Sequence, residues 1–414
     1  MPARYDAARV RGLYTGLSDG WTYLNAHDTP QLAERVAAGV ARSFRMSTAV
    51  ASFDVPTGTH SARPEAGRLE GHNLVDSARI AVADLVGASA DRVVLGPSLP
   101  ALYQALAQVI SPLLRSNSSV VLSRLDPPVL ARTFRGIDAE VRWAEPDLGT
   151  GELPAYQFAE LVDGSTRLVS LSASHELLGT VAPAEEIFDI VHEKSRAWTL
   201  LDVSSLAPYR PIDAEAIDAD ILGIDLAELG GPQVAALIFR DTKMFRRIDA
   251  LSPERENSGA GQLETPVSAG LAGGVGPLAD HLADLVVGQK GSRRRRIVSS
   301  MTSLQGYLDG LGHDLYTFLG TLPAVHILGV TGEAAADATD NRLPRISFAV
   351  QGVPAETVHQ RLFDNGLVTT LSPRTPLLTN MGVDEIGGAV TVALGPFNTS
   401  ADVEHLTRVL ASLA

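Results

Sequence analysis

Residues 218–239 read DADILGIDLAELGGPQVAALIF, and this stretch decides the fold. An apolar run at 221–224 leads into the sequence DLAE (225–228), and a second apolar run at 234–239 follows the sequence GGP (230–232). Short apolar runs bounded by glycine and proline are typical of buried strands joined by a tight turn. The stretch therefore predicts two neighbouring strands of a buried sheet, with acidic side chains at the turn between them.

Composition predicts a globular protein with a large core. Apolar residues make up 45% of the 414 residues, charged residues make up 20%, and the mean hydropathy is +0.09. The net charge of −14 argues against nucleic acid or an anionic membrane as a partner. The chain has no cysteine, which excludes disulfides and a cysteine nucleophile. No apolar run is long enough for a membrane span and the first residues lack a signal-peptide core, so we expect a cytoplasmic protein.

Strand-like and helix-like segments alternate between residues 93 and 202, which predicts a parallel sheet with helices on both faces. We predict a large α/β domain over residues 20–275, a smaller α+β domain formed by 1–19 and 291–414, and a connecting helical region at 276–290.

Three local patterns add detail to this plan. Thr29-Pro30 is a typical N-cap and first helical residue, so a helix is expected to begin there. The Gly-, Ser- and Pro-rich residues 252–276 predict a long surface loop. The run Arg293 to Arg296 is interpreted as a solvated face of a helix.

Five short motifs follow one another along the chain: YLNA at 23–26, VVLG at 93–96, PAEEI at 183–187, WTLLD at 198–202 and FNT at 397–399. In order and spacing they resemble the class V aminotransferases, the family that includes cysteine desulfurases. The resemblance implies the pyridoxal phosphate (PLP) transferase fold of type I. That fold has a large domain with a mostly parallel seven-stranded sheet flanked by helices, and a smaller α+β C-terminal domain. It also implies a homodimer with its pocket at the interface.

The family forms a Schiff base between PLP and a lysine, and this chain has Glu228 at the matching position. Aligned on Asp220 and the GGP turn, Asp225 takes the place of the family's serine and Ala227 that of its histidine. An acid cannot form the imine that PLP chemistry needs. The three lysines of the chain, at 194, 243 and 290, are each predicted to be solvated.

The other cofactor positions are also changed by comparison with the family. Ser98 could offer a hydroxyl to the phosphate, but Pro97 and Pro100 have no N–H to donate, and Ser98 as a helix N-cap explains the segment equally well. Asp202 matches the acid that pairs with the pyridine nitrogen, although a structural role at a strand end remains open. Glu176 replaces the family's asparagine and Ser205 its glutamine.

The contacts above the ring and at the substrate end are missing too. The family's ring-stacking histidine falls in the segment LDPPV (125–129), which has no imidazole. The strand expected to carry the substrate-binding arginine, residues 368–372, contains none, and Arg374 lies just beyond it. His175 and Glu176 could coordinate a metal, but no metal-binding spacing is present, and we predict no metal site.

We expect a pocket that carries negative charge, with Glu228, Glu176, Asp202 and Asp225 as its acids and Ser98 and Ser205 as its polar neighbours. Such a pocket disfavours a dianionic phosphate, so no covalently bound cofactor is expected. The sequence thus predicts a pseudoenzyme or a repurposed binder of a small molecule, an amine, a cation or a protein. The alternative is a PLP-dependent aminotransferase, desulfurase or lyase that acts on an amino acid through an atypical site.

Overall fold

A computed structural model describes residues 5–51, 66–115 and 117–413. The strands are β1 Thr22–Tyr23, β2 Val93–Gly96, β3 Ser119–Ser123, β4 Glu140–Ala144, β5 Thr166–Ser172, β6 Trp198–Asp202, β7 Ile221–Asp225, β8 Ala235–Phe239, β9 Val325–Ile327, β10 Arg345–Val350, β11 Leu367–Val368, β12 Thr370–Leu371 and β13 Val390–Ala393.

The α-helices are α1 Ala7–Arg11, α2 Glu34–Met46, α3 Glu70–Val86, α4 Leu99–Val109, α5 Pro128–Arg135, α6 Phe158–Leu161, α7 Ala184–Lys194, α8 Ala269–Ala272, α9 Val275–Ala283, α10 Arg293–Gly320, α11 Ala355–Asp364, α12 Pro376–Asn380 and α13 Ser400–Ala411. Short 3-10 helices lie at Thr15–Leu17, Ala90–Arg92, Ser111–Leu113, Ala155–Gln157, Leu226–Leu229, Thr242–Arg247, Pro253–Arg255, Gly259–Gln262 and Glu333–Ala335.

The central sheet has seven strands in the order β2-β8-β7-β6-β5-β3-β4. The pairs from β7 to β4 are parallel, whereas β8 runs antiparallel to both of its neighbours. Successive side chains of a strand point to opposite faces, so Val120 and Leu122 join one hydrophobic cluster and Val121 joins the other. Burial on both faces explains why these strands are almost uniformly apolar. The prediction of a mostly parallel seven-stranded sheet is confirmed.

The C-terminal part of the chain builds a smaller antiparallel sheet in the order β12-β13-β10-β9. A two-stranded parallel pairing of β1 with β11 ties the N-terminal segment to this part of the chain. Helix α10, which is 28 residues long, packs against α9, α13 and α3. The division into domains at residues 276–290 stays a prediction, and α9 occupies the start of that region. In the described ranges no helix is both long and apolar enough to cross a membrane.

Two of the local predictions are wrong. The helix expected to begin at Thr29 begins instead at Glu34. Residues 30–33 pass over the turn that follows β7, where the Gln31 carbonyl packs against Gly230. Residues 252–276 are not a continuous loop, since they include α8 and the start of α9. The glycines there permit close packing: a Cβ at Gly270 would collide with the Phe44 ring.

The interpretation of Arg293 to Arg296 as a solvated helix face is also wrong, because three of these side chains are engaged. Arg293 pairs with Asp84 at 2.7 Å and Arg296 with Asp284 at 2.6 Å. Arg294 is half-buried and donates to the carbonyl oxygens of Leu85 and Ile212, at 2.7 Å each. The first turn of α10 is therefore attached to α3 and to the end of α9 by ion pairs and hydrogen bonds.

Candidate functional site

The parallel strands of the central sheet place a set of polar side chains at one edge. Ser172 ends β5, Asp202 ends β6 and Asp225 ends β7. Because the carboxyl ends of neighbouring parallel strands meet at the same edge, these three positions come together there. In open α/β sheets this is the edge where ligands bind.

A cavity of about 360 Å³ opens at this edge, and we call it the acid-lined cavity. Its polar lining residues are His27, Asp28, Tyr103, Ser172, Ser174, Glu176, Asp202, Ser204, Ser205, Asp225, Glu228 and Thr370. Its apolar wall consists of Leu99, Pro100, Leu125, Pro127, Val129, Leu177 and Pro373. Five of the six residues predicted for the site therefore line one cavity, and Ser98 is missing from its described lining.

Asp202 is held by hydrogen bonds from two directions. The Tyr103 hydroxyl donates to Oδ2 at 3.0 Å, and Oδ1 accepts from the Ser204 hydroxyl at 2.6 Å and the Ser204 N–H at 3.0 Å. Burial raises the pKa of Asp202, and these hydrogen bonds partly offset the rise. Gly223 makes room for this arrangement, because a Cβ there would collide with the Tyr103 hydroxyl.

Asp225 and Glu228 lie on the turn between β7 and β8. The Asp225 carboxylate accepts the Ala227 N–H at 3.0 Å and so caps the 3-10 helix that carries Glu228. Gly230 ends that helix with φ of 71°, a conformation that favours glycine. Glu228 is half-buried, and desolvation raises its pKa to about 7. The pKa of Asp225 is also raised by burial.

Glu176 and Ser205 complete the predicted set. Glu176 is exposed at the mouth of the cavity, and partial desolvation by the surrounding protein raises its pKa. The Ser205 hydroxyl lies 2.7 Å from the Ser174 hydroxyl and donates to the Ser174 carbonyl at 2.9 Å. Ser205 therefore joins the segment that carries Glu176 to the loop after β6.

Arg345 is the main site residue that sequence reasoning missed. It begins β10 and is 1% exposed, and its guanidinium donates to the Glu176 carbonyl oxygen at 3.0 Å. Its positive charge lowers the pKa values of Glu176 and Glu228 against the larger effect of desolvation. No carboxylate within the described ranges forms an ion pair with it, and its Nε has no hydrogen-bond partner.

His27 is a second residue that the sequence did not single out. It is buried, lines the acid-lined cavity and has an Nδ1 without a hydrogen-bond partner. Desolvation, followed by the charge of Arg345, lowers its pKa to about 3. His27 is therefore a neutral imidazole at physiological pH.

Asp126 lies behind the cavity wall. It accepts the N–H groups of Ser123 at 3.0 Å and Ser172 at 2.8 Å, and desolvation raises its pKa to about 7. It thus tethers the loop after β3 to the end of β5. Among the described residues, no group of three or more His, Cys, Asp or Glu side chains could hold a metal ion.

Ser98 acts as the N-cap of α4, because its hydroxyl accepts the Ala101 N–H at 3.4 Å. Pro100 lies in the first turn of that helix and removes one of the N–H groups that a phosphate would use. The nearby Thr265 hydroxyl is buried without a partner, yet no cation lines this end of the cavity. The helix terminus is therefore a poor phosphate site.

The three lysines lie away from the cavity. Lys194 ends α7 and donates to the Ala159 carbonyl at 2.5 Å. The Lys243 side chain is 82% exposed beside Asp241, and Lys290 is exposed in the segment before α10. None of them lines the acid-lined cavity.

The fold and the position of the cavity define a protein of the PLP-transferase class, and comparisons of sequence identify its family. Residues 54–246 match the sequence model of the family described as aminotransferase class-V. The uncharacterized protein MT3887 of Mycobacterium tuberculosis is 37% identical over 415 residues, which cover 99% of each chain. A cysteine desulfurase of Haloferax volcanii is 26% identical over 316 residues, 71% of this chain and 67% of that one. The chain belongs to the class V aminotransferase family.

Solved structures support the same fold. The cysteine desulfurase CsdA of Escherichia coli superposes with a TM-score of 0.76 at 17% identity, covering 99% of this chain and 98% of that one. A mutant of C-DES in which glycine is covalently linked to the PLP cofactor superposes with a TM-score of 0.72 at 16% identity, covering 97% and 98%. The predicted PLP-transferase fold is confirmed.

The residues of the cavity do not fit PLP as a covalent cofactor. Glu228, the residue that the sequence resemblance aligns with the family's lysine, contributes a carboxyl group to the cavity, and no lysine lines the cavity. Pro100 in the first turn of α4 withholds an N–H that a phosphate would need, and acidic side chains line the same cavity. Asp202, which the sequence resemblance aligns with the acid that pairs with the pyridine nitrogen, lines the cavity.

Proposed function

We propose that this class V family member has lost covalent PLP catalysis and binds a small organic amine in the acid-lined cavity. The observation that carries the proposal is Glu228, a half-buried carboxyl group that lines the cavity. The sequence resemblance aligns Glu228 with the family's Schiff-base lysine, so an amine ligand would bring a positive nitrogen to the place that this alignment gives to the lysine nitrogen.

The balance of charge supports a cationic ligand. The carboxyl groups of Glu176, Asp202 and Asp225 line the cavity together with that of Glu228, and Arg345 lies beside them. At an effective dielectric of about 20, two like charges 4 Å apart repel by about 4 kcal/mol. An ammonium group relieves such repulsion, whereas a phosphate adds to it. Binding of an amine should therefore lower the raised pKa of Glu228.

The apolar wall and His27 narrow the ligand class. Leucine, proline and valine side chains contribute to the lining of the cavity, so a ligand with a short apolar body gains contact area there. The unpartnered Nδ1 of His27 can accept or donate one hydrogen bond, because the imidazole is neutral. A primary amine on an aliphatic or aromatic body can contact both the apolar lining and His27.

Calorimetry with 2-phenylethylamine and 1,5-diaminopentane tests this proposal, with the matching alcohols as neutral controls. We expect the amines to bind at pH 8 and the alcohols not to bind. Glu228→Gln should weaken amine binding at least tenfold, whereas Glu404→Gln, an exposed acid on α13, should leave it unchanged. Equal binding of amines and alcohols would contradict the proposal. A borohydride-reducible adduct at a single lysine of the wild type, formed at stoichiometric PLP, would favour the PLP-dependent alternative.

We also propose that the protein is a homodimer. Five large apolar side chains are exposed around α2 and α3: Phe44, Met46, Val50, Leu69 and Ile80. Apolar patches of this kind are typical of protein interfaces, and a second copy of the chain is the partner that the family frame implies. Light scattering should give the dimer mass, and Phe44→Glu should give the monomer mass. A wild-type monomer at micromolar concentration would contradict the proposal.

A further inference from the structure

A second concave region lies at the amino ends of the parallel strands, on the edge of the sheet opposite the acid-lined cavity. Its volume is about 660 Å³. It forms where β5 and β6 begin, next to the segment before β3 and the 3-10 helix Thr242–Arg247. Five of its lining side chains are cationic: Arg115, Arg167, Lys194, Arg196 and Arg247. We call this region the basic cleft.

The cations of the basic cleft have no acidic partners among the described residues. In the part of the chain that the structure describes, none of the five lies within 4 Å of a carboxylate. Arg167 donates to the carbonyl oxygens of Gly164 and Thr166 at 2.9 Å each, and Lys194 donates to that of Ala159. These bonds to neutral groups direct the two side chains and leave their charges uncompensated.

Some arginines elsewhere in the chain form ion pairs with two acids each. Arg142 contacts both Glu140 and Asp163, and Arg79 contacts Asp76 and Glu264. Acidic residues outnumber basic ones by 48 to 34, so acids are abundant for pairing. Glu193 lines the basic cleft but forms no ion pair among the described residues. Five cations without an ion pair among the described residues therefore line one concave region of an acidic protein.

The arrangement of the side chains suits an anion with several charged groups. The five cations come from four separate segments and converge on one space. The guanidinium of Arg247 lies over the Trp198 ring at 5.1 Å from its centroid, which restricts where it points. Guanidinium groups bind phosphate oxygens through paired N–H donors, so several of them around one space can engage several phosphates at once.

We propose that the basic cleft binds a small phosphorylated molecule with at least two phosphate groups. The volume of the cleft lies within the range of roughly 300–1,000 Å³ that is common for small-molecule sites. A long polyanion such as a nucleic acid would have to extend over the surface of a protein with a net charge of −14, which repels it. The proposal is independent of the function proposed for the acid-lined cavity.

Calorimetry at constant ionic strength tests the proposal with sodium tripolyphosphate and ATP as probes and inorganic phosphate as the reference. We expect one site per chain and at least tenfold tighter binding of tripolyphosphate than of phosphate. No binding of tripolyphosphate by the wild type would overturn the proposal. Tighter binding of a single-stranded DNA oligonucleotide or a polyglutamate peptide than of tripolyphosphate would also overturn it.

A matched pair of double variants locates the site. Arg115→Gln with Arg196→Gln removes two exposed cations whose side chains make no hydrogen bond or ion pair among the described residues, so the fold should persist. Tripolyphosphate binding should weaken at least tenfold. Arg42→Gln with Arg45→Gln on α2 removes the same charge from another surface and should change it less than twofold. Equal weakening in both variants would overturn the assignment to the basic cleft.

Discussion

The two edges of the central sheet carry opposite charge in opposite surroundings. At the carboxyl ends of the strands, Asp202 is buried, and Asp225 and Glu228 are half-buried in the acid-lined cavity. At the amino ends, Arg115, Arg196 and the other cations of the basic cleft lie largely in solvent. The same scaffold thus supports one cluster of charge that is partly withdrawn from water and one that is hydrated.

This difference in solvent exposure determines how the repulsion between like charges is reduced in each cluster. In the acid-lined cavity, desolvation raises the pKa of Glu228 to about 7, so the cavity lowers its charge by holding a proton near neutral pH. Guanidinium groups stay protonated in proteins, and the cations of the basic cleft rely on water and dissolved ions instead. The charge of the cavity should therefore depend on pH, whereas the charge of the cleft stays constant and its electrostatic potential should weaken as ionic strength rises.

The largest expected effect comes from Glu228→Lys, which changes the reactive chemistry of the cavity. At stoichiometric PLP the wild type should form no borohydride-reducible adduct in the cavity, because no lysine lines it, and any labelling of the exposed Lys243 or Lys290 should be substoichiometric. The variant supplies the missing amine and shifts the local charge by two units, so a reduced adduct at residue 228 should be detected by mass spectrometry. Binding should stay weak and turnover poor, because Pro100 withholds an N–H from the phosphate and orientation accounts for several orders of magnitude in rate.

Lys194 provides the control for that experiment. Lys194→Gln should leave the adduct of the Glu228→Lys protein unchanged, since Lys194 lies at the opposite edge of the sheet. A stoichiometric adduct at a single lysine of the wild type would show that the alignment on Glu228 is wrong. Efficient desulfurase or transaminase activity in the variant would instead refute the inference that Pro100 at the phosphate end and the missing ring contacts prevent efficient turnover.

The next effect is on the pH dependence of stability. Between pH 4.5 and about 7 the native Glu228 keeps a proton that the unfolded chain releases, so its contribution to stability falls as pH rises through this window. The shift from 4.5 to about 7 corresponds to about 3 kcal/mol once the group is fully ionised. Glu228→Gln mimics the protonated acid and should raise the Tm by a few degrees at pH 8 but hardly at pH 5.

The basic cleft supplies the matched control for this measurement. Glu193 is exposed in the cleft, so Glu193→Gln should change the Tm by much less than Glu228→Gln at pH 8. If both variants gained the same stability at pH 8, the gain would reflect the overall charge of −14 rather than desolvation in the cavity. Calorimetric scans of both proteins at pH 5 and pH 8 measure the contrast.

The central sheet and the acids at its edge could both be predicted from the sequence, because local pattern and strand topology determine both. Apolar runs such as 198–201 and 221–224 end at an acid or lead into one, and the alternation with helices makes the strands parallel. The carboxyl ends of such strands must then meet, which places Asp202 close to Asp225. Local pattern and topology were sufficient for this part of the cavity.

The rest of the cavity depends on contacts that no local pattern records. Arg345 belongs to the smaller sheet and reaches Glu176 across 169 residues of sequence. Its burial in β10 could not be predicted from the sequence, because a charged residue at the start of an apolar strand usually faces solvent. The start of α2 was missed because packing of residues 30–33 against Gly230 overrides the capping preference of Thr29.

Arg345→Met should have an effect of intermediate size. It distinguishes the role of the buried cation beside the acid-lined cavity from that of the cations in the basic cleft. Without the buried guanidinium the pKa values of Glu228 and Glu176 should rise further, because its charge now lowers both. The native variant should then bind more protons, so its stability relative to the wild type should decline by about 1–2 kcal/mol between pH 5 and pH 8. Arg196→Met, in the cleft, should show no such slope. A pH-independent difference for Arg345→Met would mean that the residue contributes packing only.

The smallest effect concerns the hydrogen bond between the Tyr103 hydroxyl and Asp202. The hydroxyl is buried, donates at 3.0 Å and helps to lower the pKa of Asp202 against the effect of burial. Tyr103→Phe removes one donor and should cost about 1 kcal/mol, since a typical hydrogen bond contributes that much in net terms. The loss should be larger at pH 8 than at pH 5, because the pKa of Asp202 should rise and its ionised form lose support. Tyr156→Phe, at a position 76% exposed, is the control and should be neutral at both pH values. Equal losses for Tyr103→Phe at pH 5 and pH 8 would show that the hydroxyl does not stabilise the charge on Asp202.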